Sequence, residues 1–202
     1  MKKIGIYLII IGIAILGFYL IYNNAITKRN NESVEDYIND TSIVNVEEIK
    51  EPINEETETS NTQNSNNIAY TAILEIPKIN LKRGVVDSTK NFKSINYAIS
   101  VDKNSNYPNE LGNFILYAHS GNSYISYFRK LNQVDINDEV YVYYNGVKNH
   151  YVIENKYDIE KTGKAKVINL KDNKYITLIT CNQDRKGYQI VVEGKLIDST
   201  TY

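Results

Sequence analysis

The chain has 202 residues, a formal net charge of −1 and one cysteine. A single thiol excludes an internal disulfide, and a near-neutral balance gives no argument for a nucleic-acid partner. The length admits one domain with attachments.

Residues 4–22 are an unbroken apolar and aromatic run, IGIYLIIIGIAILGFYLIY. Its length matches the roughly 20 residues that cross a bilayer as a helix. Lys2 and Lys3 precede it, and Lys28 and Arg29 follow. The flanking asymmetry is therefore weak, although the free amino terminus adds to the inner side. A cleaved signal peptide is the alternative, but the run exceeds the usual h-region of about 7–15 residues and no small-x-small site follows closely. The expectation is an uncleaved single-pass anchor over residues 1–22, with a cytoplasmic amino terminus and the rest of the chain outside the cell.

Residues 31–67 carry ten acidic side chains and one lysine, a net of −9. The stretch 23–67 is rich in Asn, Glu and Thr and nearly free of aromatic residues, a composition that cannot bury a core. It is expected to be a flexible acidic stalk, kept extended by like charges, with room for a short helix near residues 34–38. From Ile68 onward 18 Lys and Arg face 14 Asp and Glu, a net of +4. That surplus suits either an ordinary solvated surface or a polyanionic cell-wall surface.

Residues 68–202 have a different texture. Residues 70–76 read as a strand stopped by Pro77, and residues 113–119 as a second one. Residues 139–144 and 147–153 flank Asn145-Gly146, the strongest short hairpin signal. Residues 175–181 and 189–197 are two further strands around a polar, glycine-containing connection. Tyr124, Tyr127, Phe128 and Leu131 recur at helical spacing, and a second short helix fits near Ser94. Many short strands in about 135 residues predict a mostly-β domain, a closed barrel or a sandwich.

Cys181 ends the strand TLITC and is followed at once by the polar residues Asn182, Gln183, Asp184 and Arg185. A free cysteine on a strand is often a small buried hydrophobe, but a core cysteine usually has apolar neighbours on both sides. His119 closes an apolar strand and opens into the loop Ser120-Gly121-Asn122-Ser123, where scaffolds present functional groups. His150 lies in the hairpin and reads as a surface residue. One cysteine and two histidines without ligand spacing predict no metal site, and no phosphate-binding glycine loop is present. A cysteine with a well-placed histidine is the minimum for thiol acyl transfer, which needs no cofactor.

The strand TLITC, the segment ILYAHS and the stretch AILEIPKINLKRGVV together resemble the sortase family, membrane-anchored cysteine transpeptidases of Gram-positive bacteria. The resemblance runs from about residue 70 to residue 197. It implies an eight-stranded β-barrel with the cysteine and histidine at the ends of neighbouring strands. It further implies that Cys181 attacks the Thr–Gly-type carbonyl of an LPXTG-like sorting signal and forms a thioacyl-enzyme. His119 would protonate the leaving amine and deprotonate the incoming one. The partners would be surface proteins bearing that signal and an amine on a cell-wall precursor or another protein.

Sortases also carry an arginine near the start of the strand after the cysteine. Aligned through VVEGKLI, that position holds Gln189 here, and the nearest arginine is Arg185 in the connecting loop. Arg185 folding back over the cysteine is the favoured expectation, and a neutral donor at Gln189 the other. Thr180 and Ser120, beside the two central residues, are expected to shape the substrate pocket, with core or loop roles as the alternative. A short segment between residues 153 and 175, no Asp-Pro-aromatic lid motif and no second apolar run favour a class A- or D-like enzyme. Two other functions fit the residues: a cysteine peptidase that only hydrolyses, and a catalytically inert β-barrel that binds surface proteins or wall polymer.

Overall fold

Asn145 and Gly146 both adopt left-handed backbone, with φ of 48° and 72°, as a two-residue turn of the primed type requires. They join strand β5 (Glu139–Tyr144) to β6 (Val147–Glu160). The computed structural model describes residues 2–43, 70–89, 94–162, 167 and 172–202. Within them lie one α-helix, α1 (Lys2–Ile43), and six further strands. These are β1 (Ala72–Ile76), β2 (Leu81–Asp87), β3 (Ile99–Val101), β4 (Gly112–Tyr117), β7 (Lys174–Cys181) and β8 (Tyr188–Thr201).

The strands close into a barrel in the order β1-β2-β3-β4-β7-β8-β6-β5. Closure leaves no unpaired sheet edge. Two neighbouring pairs are parallel, β2 with β3 and β4 with β7. The second pair joins residues more than sixty positions apart in the chain. β6 and β8 are long and antiparallel, with register shifts at His150/Tyr151 and Ile153/Asn155.

Alternation along the strands fills the interior. Leu74, Phe114, Leu116, Val142, Ile176, Leu178 and Val192 belong to one buried cluster. Each large side chain so buried contributes about 1.5–3 kcal/mol of transfer free energy. The opposite face of β4, β7, β8 and β6 is apolar too: Ile115, Ile179 and Val191 pack there with Tyr117, Tyr157, Ile159 and Val167.

Two expected helices take a tighter form. Ser94–Asn96 is a single 3-10 turn. Over residues 123–131 the backbone makes successive turns instead of an α-helix, and the only helical turn is the 3-10 turn Leu131–Gln133. The Phe128 N–H donates to the His119 carbonyl at 3.0 Å, so it is lost to any α-helical ladder. Neighbouring N–H groups bond three residues back, as Arg129 does to Ser126. Phe128 and Leu131 are still buried, which is what their spacing signalled.

The amino-terminal segment differs more. α1 does not stop at the end of the apolar run but continues to Ile43. It is long and apolar enough to cross a membrane, with mean hydropathy reaching 2.4. Beyond residue 22 it docks on the barrel. Val34 is 3% exposed and packs with Ile73 of β1 and Tyr143 of β5. Tyr37 Oη donates to the Thr71 carbonyl at 2.8 Å, and Thr41 Oγ1 lies 2.7 Å from Tyr202 Oη. The first half of the expected stalk is therefore a docked helix, because Val34, Tyr37, Ile38 and Thr41 recur at i, i+3, i+4 and i+7 and share one face. Residues 44–67 of that expectation lie outside the described residues.

Candidate active site

Cys181 is the last residue of β7 and is half-buried. Its neighbours follow from register. Tyr117 of β4 is level with Ile179, which is level with Val191 of β8, itself level with Tyr157 of β6. Two residues further on, Cys181 is level with Gln189, and Gln189 with Ile159. Because strand side chains alternate with period two, this row shares the outer face carrying Ile179 and Val191. Continuing the parallel β4–β7 register by two residues sets His119 level with Cys181. The Ala118 N–H completes the last rung of that ladder by donating to the Ile179 carbonyl at 3.4 Å.

Two hydroxyls clip the strand ends together. Thr180 Oγ1 donates to the Ala118 carbonyl at 2.8 Å, and Ser120 Oγ donates to the Cys181 carbonyl at 2.6 Å. Both side chains are buried, Thr180 2% exposed and Ser120 5%. The bonds thus tie Ala118 and Ser120, the residues on either side of His119, to the end of β7. Gln183 Nε2 adds a bond to the Ser120 carbonyl. Ser120, Thr180, Cys181, Gln183 and Arg129 line a crevice of about 10 Å³. That volume holds about one water molecule, and the Thr180 and Ser120 hydroxyls beside it both brace backbone carbonyls.

The connection after Cys181 is held by Asn182. Its Oδ1 accepts from the N–H groups of Asp184 (2.9 Å) and Arg185 (3.0 Å). Its Nδ2 donates to both carboxylate oxygens of Asp158 at 3.0 Å. Arg185 does not turn toward the sulfur. Its guanidinium lies 3.3 Å over the centroid of the Tyr188 ring and 3.9 Å from Asp158. A cation stacked on an aromatic face beside a carboxylate is already satisfied. Of the two expected donors, Gln189 is the one beside Cys181 in the sheet.

The cation that does meet the sulfur is one that sequence reasoning passed over. Lys161 Nζ lies 3.5 Å from Cys181 Sγ. The predicted strand ended at residue 153, whereas β6 runs on to Glu160, so the spacing of Lys161 from Ile159 was not visible. Arg129 also borders the crevice, but its guanidinium donates to the carbonyls of Gly121 (3.0 Å) and Ser123 (2.9 Å). His150 pairs with Tyr141 of β5, at the opposite end of β6 from Ile159, and stacks on the Tyr141 ring at 4.6 Å.

Comparison with solved structures returns the same barrel. The Clostridium perfringens Sortase D5 transpeptidase has a TM-score of 0.57 and 22% identity, covering 64% of this chain and 79% of that one. Listeria monocytogenes sortase A has a TM-score of 0.58 and 19% identity, covering 67% and 92%. Streptococcus pneumoniae sortase C has a TM-score of 0.58 and 20% identity, covering 65% and 70%. At these identities the likeness establishes the fold. A search of the curated proteins gave no match. The family model for the sortase domain matches residues 74–197, from β1 into β8 and through both His119 and Cys181. With that match spanning most of the barrel, the chain belongs to the sortase family.

Proposed function

We propose that this protein is a membrane-anchored cysteine transpeptidase that cleaves an LPXTG-like sorting signal and joins the carried protein to an amine. The observation that supports the reading is the closeness of the two strand ends: Ser120 Oγ, next to His119, donates to the Cys181 carbonyl, and Thr180 Oγ1, next to Cys181, donates to the Ala118 carbonyl. In this mechanism the Cys181 thiol gives its proton to His119, and the sulfur forms a bond to the carbonyl carbon of the scissile amide. The carbonyl oxygen takes the electron pair. Collapse breaks the C–N bond, and His119 returns the proton to the leaving amine. An incoming amine then adds to the thioester, loses a proton to His119 and displaces the sulfur. The chemistry needs no metal or cofactor. Backbone N–H groups and the Gln189 amide are the neutral donors for the oxyanion.

The anchor supports action at a membrane surface, with the barrel outside the cell. The acceptor amine belongs to a cell-wall precursor or to a lysine of another surface protein. The short connection from β6 to β7, residues 161–173, supports a class A- or D-like enzyme.

The test uses the full chain in detergent micelles with a panel of LPXTG-like peptides, with and without triglycine, and follows products by mass. Peptide–triglycine ligation that disappears in Cys181→Ala supports the reading. Cleavage that added amine does not divert favours a hydrolase. No turnover and no covalent adduct favours an inert binding barrel.

A further inference from the structure

Gln189 leaves this site without a cation from β8, yet a positive charge is present. We infer that Lys161 is the electrostatic partner of the Cys181 sulfur and supplies the site's positive charge during acyl transfer. As a catalytic role this rests on the transpeptidase reading above; the charge pairing itself does not.

Three observations carry it. Lys161 Nζ is 3.5 Å from Cys181 Sγ, the one side-chain hydrogen bond it makes among the described residues. The two nearby arginines are committed elsewhere, Arg185 to Tyr188 and Asp158 and Arg129 to two backbone carbonyls. The lysine is also delivered by the fold. Ile159, Gln189 and Cys181 form one row on the outer face, and Lys161 follows Ile159 by two residues on that face. Its N–H donates to the Gly187 carbonyl at 2.8 Å, which ties it to the connection that Asn182 braces. Since β8 lies between β6 and β7, the side chain spans that strand to the sulfur.

An ammonium at this distance meets negative charge wherever it appears in the cycle. It meets it on sulfur after the proton has moved to His119, and on the adjacent carbonyl oxygen in the tetrahedral intermediate. A charged donor is roughly twice as strong as a neutral one, so Lys161 does what the Gln189 amide cannot. The sequence position differs from the family arginine, because the charge comes from the end of β6 and not from β8.

The test measures alkylation of Cys181 in the full chain in micelles by iodoacetate and by iodoacetamide, which differ in charge. The wild type is expected to favour iodoacetate relative to Lys161→Met, with the rate ratio falling about fivefold in the variant. Lys161→Arg, which keeps the charge, should retain most of the ratio. In the ligation assay Lys161→Met should lower kcat about 10²-fold and leave KM within about threefold, whereas Lys161→Arg restores much of the rate. An unchanged alkylation ratio overturns the inference. A lowered ratio with unchanged kcat overturns the catalytic role. If the wild type ligates no peptide, the transpeptidase reading fails, and the alkylation ratio still decides the charge pairing.

Discussion

Ser120 Oγ donates a 2.6 Å hydrogen bond to the backbone carbonyl of Cys181. The residue after the histidine thereby holds the residue that carries the thiol. Thr180 makes the reciprocal bond, to the carbonyl of the residue before the histidine. The strand ends that carry His119 and Cys181 are held together by these two clips and by the β4–β7 ladder.

Ser120→Ala removes one clip and leaves the Cys181 carbonyl short of a partner. The expected loss of stability is about 1 kcal/mol, read by denaturant unfolding. The expected loss in kcat is about tenfold, since small misplacements of a reacting group are costly. Retained kcat would mean that the ladder alone fixes the pair.

Arg185→Ala tests the loop arginine against the strand residue Gln189. The guanidinium stacks on Tyr188 and faces Asp158, so its removal should cost about 0.5–1 kcal/mol of stability and change kcat less than threefold. A fall of about 10² in kcat would return Arg185 to the reacting centre.

The docked end of α1 makes a prediction of its own. Val34→Asp sets a carboxylate in the apolar cluster with Ile73 and Tyr143, and taking a charge out of water there is unfavourable even with the Lys82 ammonium 5.0 Å from the Tyr143 ring. Hydrogen exchange of the amides around residues 33–41 should accelerate at least about tenfold, as expected for a segment released to local opening. Equal protection in wild type and variant would mean that the helix holds its structure without the barrel.

Tyr151 is fully buried, and its hydroxyl has no partner among the described residues. Tyr151→Phe should therefore be neutral or stabilising by up to about 1 kcal/mol. Burial pushes the Tyr151 phenol above its ordinary value. Below the unfolded phenol's value of about 10 both states keep the proton, and the contribution is complete. Above it the unfolded chain releases the proton more readily, so stability falls as pH rises. The Phe variant should lose less stability than wild type between pH 9 and 11, measured by urea unfolding.

Much of the barrel was legible because its strands alternate cleanly. Asn145-Gly146 fixed the β5–β6 hairpin, and TLITC put a thiol at a strand end. β2 and β3 were not distinguished, since LKRGVVD has a glycine and two cations and β3 is only three residues long. The parallel β4–β7 pairing has no local signature, and the barrel's closure came only from family resemblance. The helix past residue 22 was obscured by its polar composition, although Val34, Tyr37, Ile38 and Thr41 held the pattern. Lys161 was hidden for a different reason. Its meeting with Cys181 depends on β6 running to Glu160 and on three strands being in register, and neither is a property of the residues nearby.

The most direct test of the central claim is the intact mass of the full chain after brief mixing with an LPXTG-like peptide and no added amine. Acyl transfer predicts a species heavier by the acyl fragment, carried on Cys181 by peptide mapping, absent in Cys181→Ala and discharged by triglycine. Peptide cleavage with no such adduct, or an adduct that persists in Cys181→Ala, would contradict the account.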